Sequence, residues 1–181
     1  MRRSRAWSRK DTEAIIPTSS TRAVSYTVIG AISVIGVVNI TMKVPLPLKK
    51  IKIQGGTTTG HYLNFIRETL DIMDRYPEMR GSYLIMDNAP IHSSSEVNHM
   101  VENRIKDYKC VYLPPYSPEL NPIEQFWAIV KHKVKRNQLM ESETLTQRIT
   151  EACNDVPLSR LVNLTQHSKN HFQNCLNKVP I

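Results

Sequence analysis

Two acids carry most of the chemistry this sequence offers, and 36 residues lie between them, at positions 87 and 124. Asp87 ends the apolar run "YLIM" and passes straight into Asn88, Pro90 and His92. Glu124 follows "LPPYSPELNPI", in which Pro114, Pro115, Pro118 and Pro122 restrict the backbone far more than a simple connection requires. Each acid has an ordinary account. Asp87 and Asn88 suit a turn that Pro90 stiffens, and Glu124, three residues after Asn121, suits the reciprocal half of a capping box. A second account joins them: an acid at a strand end and an acid aimed from a helix start are hard oxygen ligands of the kind that hold magnesium or manganese. Asn88 and His92 follow Asp87 closely enough to orient it or a phosphate, and turn hydrogen bonding explains them equally well.

The elements that must position these groups alternate in type. The uncharged run from Ala23 to Met42 is long enough to span a bilayer. Its Val, Ile and Thr, its interruption at Gly36 and its polar Ser25, Ser33 and Asn39 instead suit two buried strands joined by a tight turn. Residues 43–60, rich in Pro, Lys and Gly, read as an edge segment leading into a loop. Tyr62, Ile66, Leu70 and Met73 recur at helical spacing until Pro77. "SYLIM" is a short apolar strand. Ser93 with Glu96 suggests a capping box for a helix whose stripe is Val97, Met100, Val101 and Ile105. "CVYLPP" is another short strand. Pro122 opens a helix with Ile123, Phe126, Trp127, Val130 and Val134 on its buried face, and two more helical patterns fill residues 143–178. Strands alternating with helices make an α/β domain, in which functional groups collect where strands end.

Composition sets the outer bounds. At 181 residues, 40% of them hydrophobic, the chain is long enough for one globular domain with a sizeable core. A net charge of +8 favours a polyanionic partner, nucleic acid first. Lys131, Lys133, Lys135 and Arg136, with Lys49, Lys50 and Lys52, make a candidate surface for tracking a phosphate backbone, although single lysines are commonly just solvated. Cys110, Cys153 and Cys175 lack the paired spacing of a zinc site and read as reduced, structural thiols of an intracellular protein. The Arg- and Ser-rich start, "MRRSRAWSRK", has no amphipathic face to support a targeting role. Trp127 shares the spacing of Phe126 and Val130, which assigns it to the core rather than to base stacking.

"MDNAPIH" followed by "LPPYSPELNPIEQFW" closely resembles the transposase DDE domains of the mariner-like superfamily, the DDE superfamily endonucleases. The resemblance covers nearly the whole chain and weakens toward the C-terminal helices. It implies a ribonuclease H-like mixed sheet flanked by helices, with a catalytic core over residues 1–140 and a helical extension of the same domain over 141–181. It matches Asp87 to the family's second catalytic aspartate and Glu124 to its final acid. It also implies metal-dependent cleavage of DNA at transposon ends and joining of the freed 3'-hydroxyl to target DNA, with a homodimer as the accompanying assembly. Such in-line displacement develops charge on both attacking and leaving oxygens, which two Mg2+ or Mn2+ ions about 4 Å apart can stabilise together. Asp87 would bridge the ions and Glu124 would bind one. The expected location is the nucleus in a eukaryote, or the chromosome within the cytoplasm otherwise.

One departure qualifies that expectation. The segment around Trp7 resembles the stretch that follows the family's first, central strand, so the match for the first catalytic aspartate falls before Met1, as does the helix-turn-helix region. Asp11, Asp71 and Asp74 are not positional matches. A sheet without its central strand leaves two neighbours with unpaired edges and is expected to fold poorly alone. Two carboxylates in place of three hold metal more weakly, so low or no nuclease activity is expected of this chain. The alternatives are a non-catalytic DNA-binding or interaction protein derived from a transposase, and a membrane-associated protein anchored through residues 23–42.

Overall fold

The computed structural model describes residues 26–43, 59–90, 92, 94–136 and 144–178. Trp7, Asp11, Lys49, Lys50, Lys52, Ser93 and most of residues 43–60 lie outside them. The membrane-length run forms a hairpin: β1 (Thr27–Ser33) and β2 (Gly36–Lys43) pair antiparallel across a turn at Val34 and Ile35. Gly36 takes φ +148° at this turn, where a side chain is disfavoured. Ala31 pairs with Asn39 and Ile32 with Val37, so Val38 is an extra residue that bulges β2. Among the described residues no helix is long and apolar enough to cross a membrane.

The hairpin is apolar on both faces because both are covered. Ile29, Ala31 and Val38 pack into a core built by α1 (Thr59–Met73), with Tyr62, Phe65, Ile66 and Leu70, and by α2 (Ser95–Glu102), with Val97 and Val101. Val28, Ile32, Val37, Ile40 and Met42 face a second core of Phe126, Val130, Ile149, Cys153, Leu161 and Leu164. That core belongs to α3 (Pro122–Lys135), α4 (Leu145–Asn154) and α5 (Leu158–Leu176). The result is a helix–sheet–helix sandwich in which every residue of β1 and β2 is half-buried rather than buried. Asn39 reaches the α1 side and donates to Thr69 Oγ1 at 3.1 Å, while Thr69 donates to the Phe65 carbonyl at 2.7 Å, so the buried Thr69 hydroxyl is satisfied.

A second pair, β3 (Tyr83–Met86) and β4 (Lys109–Tyr112), runs parallel, and the Leu113 N–H donates to the Met86 carbonyl at 2.8 Å, carrying the pairing one step further. The expected mixed sheet is therefore present as one antiparallel and one parallel pair, and no ladder joins them among the described residues. Between β1 and β3 lies a cavity of about 530 Å³, floored by α1 side chains such as Phe65 and Ile66 and reaching Trp127 on α3. The open space leaves Tyr83 and Ile85 exposed, although their strand is apolar.

Two expectations around α2 need correcting. Its N-cap is Ser94, whose Oγ accepts from Val97 N. The helix also stops at an Asn103 C-cap, and Asp107 turns the chain at φ +58°, so Ile105 leaves the helical stripe and is 95% exposed. Of the cysteines, Cys153 is buried, Cys110 half-buried and Cys175 exposed, so a structural role fits the first two only.

Candidate functional site

Parallel strands bring their carboxyl ends to one edge, and both acids are there. Asp87 is the residue after β3. β4 leads at the same edge into the proline-rich loop and then α3, whose Asn121 cap accepts from Ile123 N at 3.4 Å. Pro122 occupies the first helical position, where its missing N–H costs nothing. Glu124 falls in the first turn of α3, where the positive end of the helix favours a negative charge. Asp87 and Glu124 line one cleft of about 300 Å³ together with Asn88, and both also reach the larger cavity between β1 and β3.

Both readings of Asp87 hold at once. Its Oδ1 accepts from Ala89 N at 3.2 Å, an Asx-type turn, and pairs with His92 Nδ1. Both recorded partners take the same oxygen, which leaves Oδ2 without one among the described residues. Glu124 makes no reciprocal capping bond. Asn121 caps α3 alone, and the Glu124 carboxylate is exposed with no partner among the described residues. Free carboxylate oxygens from two elements on one cleft are the donor set that suits a hard divalent cation. Among the described residues no three His, Cys, Asp or Glu side chains gather closely enough to hold an ion.

His92 is fixed on three sides. Its ring stacks on Tyr62 with centroids 4.2 Å apart, its Nδ1 meets Asp87, and its carbonyl accepts from Tyr112 Oη at 3.3 Å. Tyr112 also donates to Asn98 Oδ1 at 2.6 Å. Burial, reinforced by the Asp87 charge, raises the Tyr62 pKa well above its ordinary value. The phenol stays protonated and donates to Met86 Sδ at 3.1 Å. Tyr62 appears in the sequence only as one apolar position of α1; nothing in the spacing signals that its ring supports His92. Asn88 lines the cleft beside Asp87 and is exposed.

Asp71 and Asp74 serve structure. Arg104 Nη1 lies 2.8 Å from both Asp71 and Asp74, and Tyr108 donates to Asp74 Oδ1 at 3.0 Å, tying α1 to the segment after α2. Of the basic run, Lys133 is held by the Asp155 carbonyl at 2.9 Å. Lys131, Lys135 and Arg136 are exposed without partners among the described residues. Trp127 packs edge-on to Phe126, with centroids 5.1 Å apart, and lies against Gly30 of β1, as a core residue should.

With this geometry in place, the comparisons with known proteins define a class. Residues 1–146 match the DDE superfamily endonucleases, and the chain belongs to that family. Over 93 residues it is 29% identical to the insertion element IS630 uncharacterized 39 kDa protein of Shigella sonnei, covering 51% of this chain and 26% of the relative. In fold it is similar to the Mos1 transposase paired-end complex with left transposon end, at TM-score 0.70 and 16% identity over 98% of this chain and 50% of the other. It is likewise similar to the Mos1 transposase catalytic domain with Raltegravir and Mn, at TM-score 0.59 and 15% identity over 79% of this chain and 70% of the other. The fold is thus the ribonuclease H-like α/β fold of that catalytic domain. The chain spans about a quarter of the Shigella relative and half of the Mos1 chain in the paired-end complex.

Proposed function

We propose that this chain is the endonuclease domain of a transposase, acting on DNA at element ends, and that Asp87 and Glu124 hold its divalent metal. The observation that carries the reading is that these two acids, after β3 and in the first turn of α3, share one cleft and keep oxygens that no described residue engages. Family membership and the manganese named with the Mos1 structures support a divalent ion. The ion is Mg2+ or Mn2+, with two ions in a complete site.

When bound, the metal supplies charge stabilisation at the attacking and leaving oxygens of the phosphodiester. The chain's own residues prepare for that. His92, wedged between Tyr62 and Asp87, holds one Asp87 oxygen and leaves the other for the metal. The proline-rich loop and the Asn121 cap fix where α3 starts, and hence where Glu124 points. Asn88 is placed to donate to a phosphate oxygen at the cleft wall. Lys131, Lys135 and Arg136, at the far end of α3, offer cations to the DNA backbone, with Lys49 and Lys50 assigned the same role. A homodimer working on two element ends, in the nucleus of a eukaryote or on a bacterial chromosome, completes the reading.

The test is Mn2+ binding followed by electron paramagnetic resonance, with DNA cleavage measured alongside. Binding is expected to weaken at least tenfold in Asp87→Asn and in Glu124→Gln, each removing one charged ligand. Mn2+ binding indifferent to both substitutions sinks the assignment. Cleavage by this chain is expected to be low or nil, so the discriminating result is metal binding: DNA binding that persists with no Mn2+ binding favours a non-catalytic DNA-binding derivative.

A further inference from the structure

The same cleft has an aromatic wall. Tyr116 lies in the loop between β4 and α3, lines the cleft with Asp87 and Glu124, and is 100% exposed. An exposed aromatic is unremarkable alone, but this one is also held at φ +58°, where a bulky side chain crowds its own backbone. Two other described non-glycine residues have positive φ, and both have local reasons. Asp107 is a short polar residue of a type that visits this region readily, and Lys178 follows the C-cap of α5. Tyr116 has neither reason. Pro115 before it, Pro118 after it, and a Ser117 Oγ bond to the Pro115 carbonyl at 3.4 Å constrain the loop that holds it out. The chain accepts backbone crowding and leaves an aromatic ring in water at the edge of its acid cleft.

Building on the endonuclease reading, we propose that Tyr116 is the platform on which an unpaired base next to the reacting phosphate stacks. The ring is bare, lies beside the two acids, and presents a π-face that any base can meet. Where a base beside the reacting phosphate leaves the duplex stack, an aromatic partner offsets part of the unstacking cost. Tyr116 would thus position the strand and select unpaired DNA; its hydroxyl has no chemical part.

The experiment compares the full chain's affinity, with Mn2+ present, for a duplex carrying one unpaired 2-aminopurine and for the fully paired duplex. The unpaired probe is expected to bind more tightly, with its fluorescence quenched by the ring. Tyr116→Ala should reduce that preference on the order of tenfold and remove the quenching, while Tyr116→Phe keeps both. Circular dichroism of the variants excludes a folding defect, which is not expected for a fully exposed side chain. Equal affinity of the parent chain for the two duplexes, or an unchanged preference and quenching in Tyr116→Ala, overturns the proposal while leaving the endonuclease reading intact. Failure of the parent chain to bind any DNA overturns both.

Discussion

Replacing Gly30 with alanine measures how tightly the hairpin is clamped to the helix that carries Glu124. A Cβ at this position would sit 2.7 Å from Ile40 Cδ1 and 2.7 Å from Trp127 Cζ2. The Ile40 methyl can rotate away. The Trp127 ring is packed edge-on to Phe126, and moving it shifts a whole rigid indole rather than one methyl. Overpacking of this kind costs about 1–3 kcal/mol, while removing a strand glycine returns roughly 0.5–1 kcal/mol. The clash wins, and a net loss of about 1–2 kcal/mol is expected. For a chain of this size each kcal/mol moves the melting temperature by about 2–4 °C, so Gly30→Ala should melt roughly 2–8 °C lower in calorimetry. Gly60→Ala is the control: nothing lies within 4 Å of a Cβ there, at the start of α1, and the same substitution should raise the melting temperature slightly. Trp127→Phe should recover part of the Gly30→Ala loss, because the two sites couple through contact. If Gly30→Ala melts at or above the parent, the packing of β1 on α3 is wrong, and with it the account of how α3 is held.

Three further outcomes follow from buried or paired groups. Arg104→Met removes the cation between Asp71 and Asp74; because Asp71 is half exposed, the loss should fall near the lower end of about 1–3 kcal/mol, read as a lower urea midpoint. Burial pushes the Cys153 thiol up to about 11, whereas Cys175 is exposed, so alkylation at pH 8 followed by mass spectrometry should mark Cys175 first and Cys153 only on unfolding. Burial, followed by the Asp74 hydrogen bond and charge, raises Tyr108 from 10.0 to about 12, and burial, followed by the neighbouring Cys110, does the same for Tyr112. A raised folded-state pKa contributes stability that is complete below pH 10 and disappears as pH climbs through about 12. Alkaline unfolding should therefore accompany phenolate absorbance in that window, and Tyr108→Phe should flatten the dependence.

The sequence revealed what depends on periodicity and local chemistry. The stripes of α1 and α3 repeat at helical spacing and were buried as expected at Tyr62, Ile66, Leu70, Phe126 and Val130. The hairpin was legible against the membrane alternative because β-branched residues and Gly36 outweighed the bare length of the run. Ile105 misled because a stripe in sequence does not register where Asn103 ends the helix. The site was legible in part: Asp87 and Glu124 announced themselves by type and by the prolines before Glu124. That they share a cleft depends on the parallel pairing of β3 with β4, a contact between residues far apart in the chain. The stacking of His92 on Tyr62 and the positive φ of Tyr116 leave no trace in residue spacing, since both arise from how the loops are held after folding.

The divided sheet bears on how the protein behaves in a tube. β1 and β3 each present one row of backbone donors and acceptors that no described residue pairs, facing an apolar space between them. A strand with an open side is a template, and whatever extended segment is most abundant nearby competes to fill it. Concentration thereby becomes a structural variable, because crowded protein offers these edges the strands of other copies. Light scattering should rise with concentration well before the helices melt, and a preparation that clouds on concentrating would be reporting on its sheet edges.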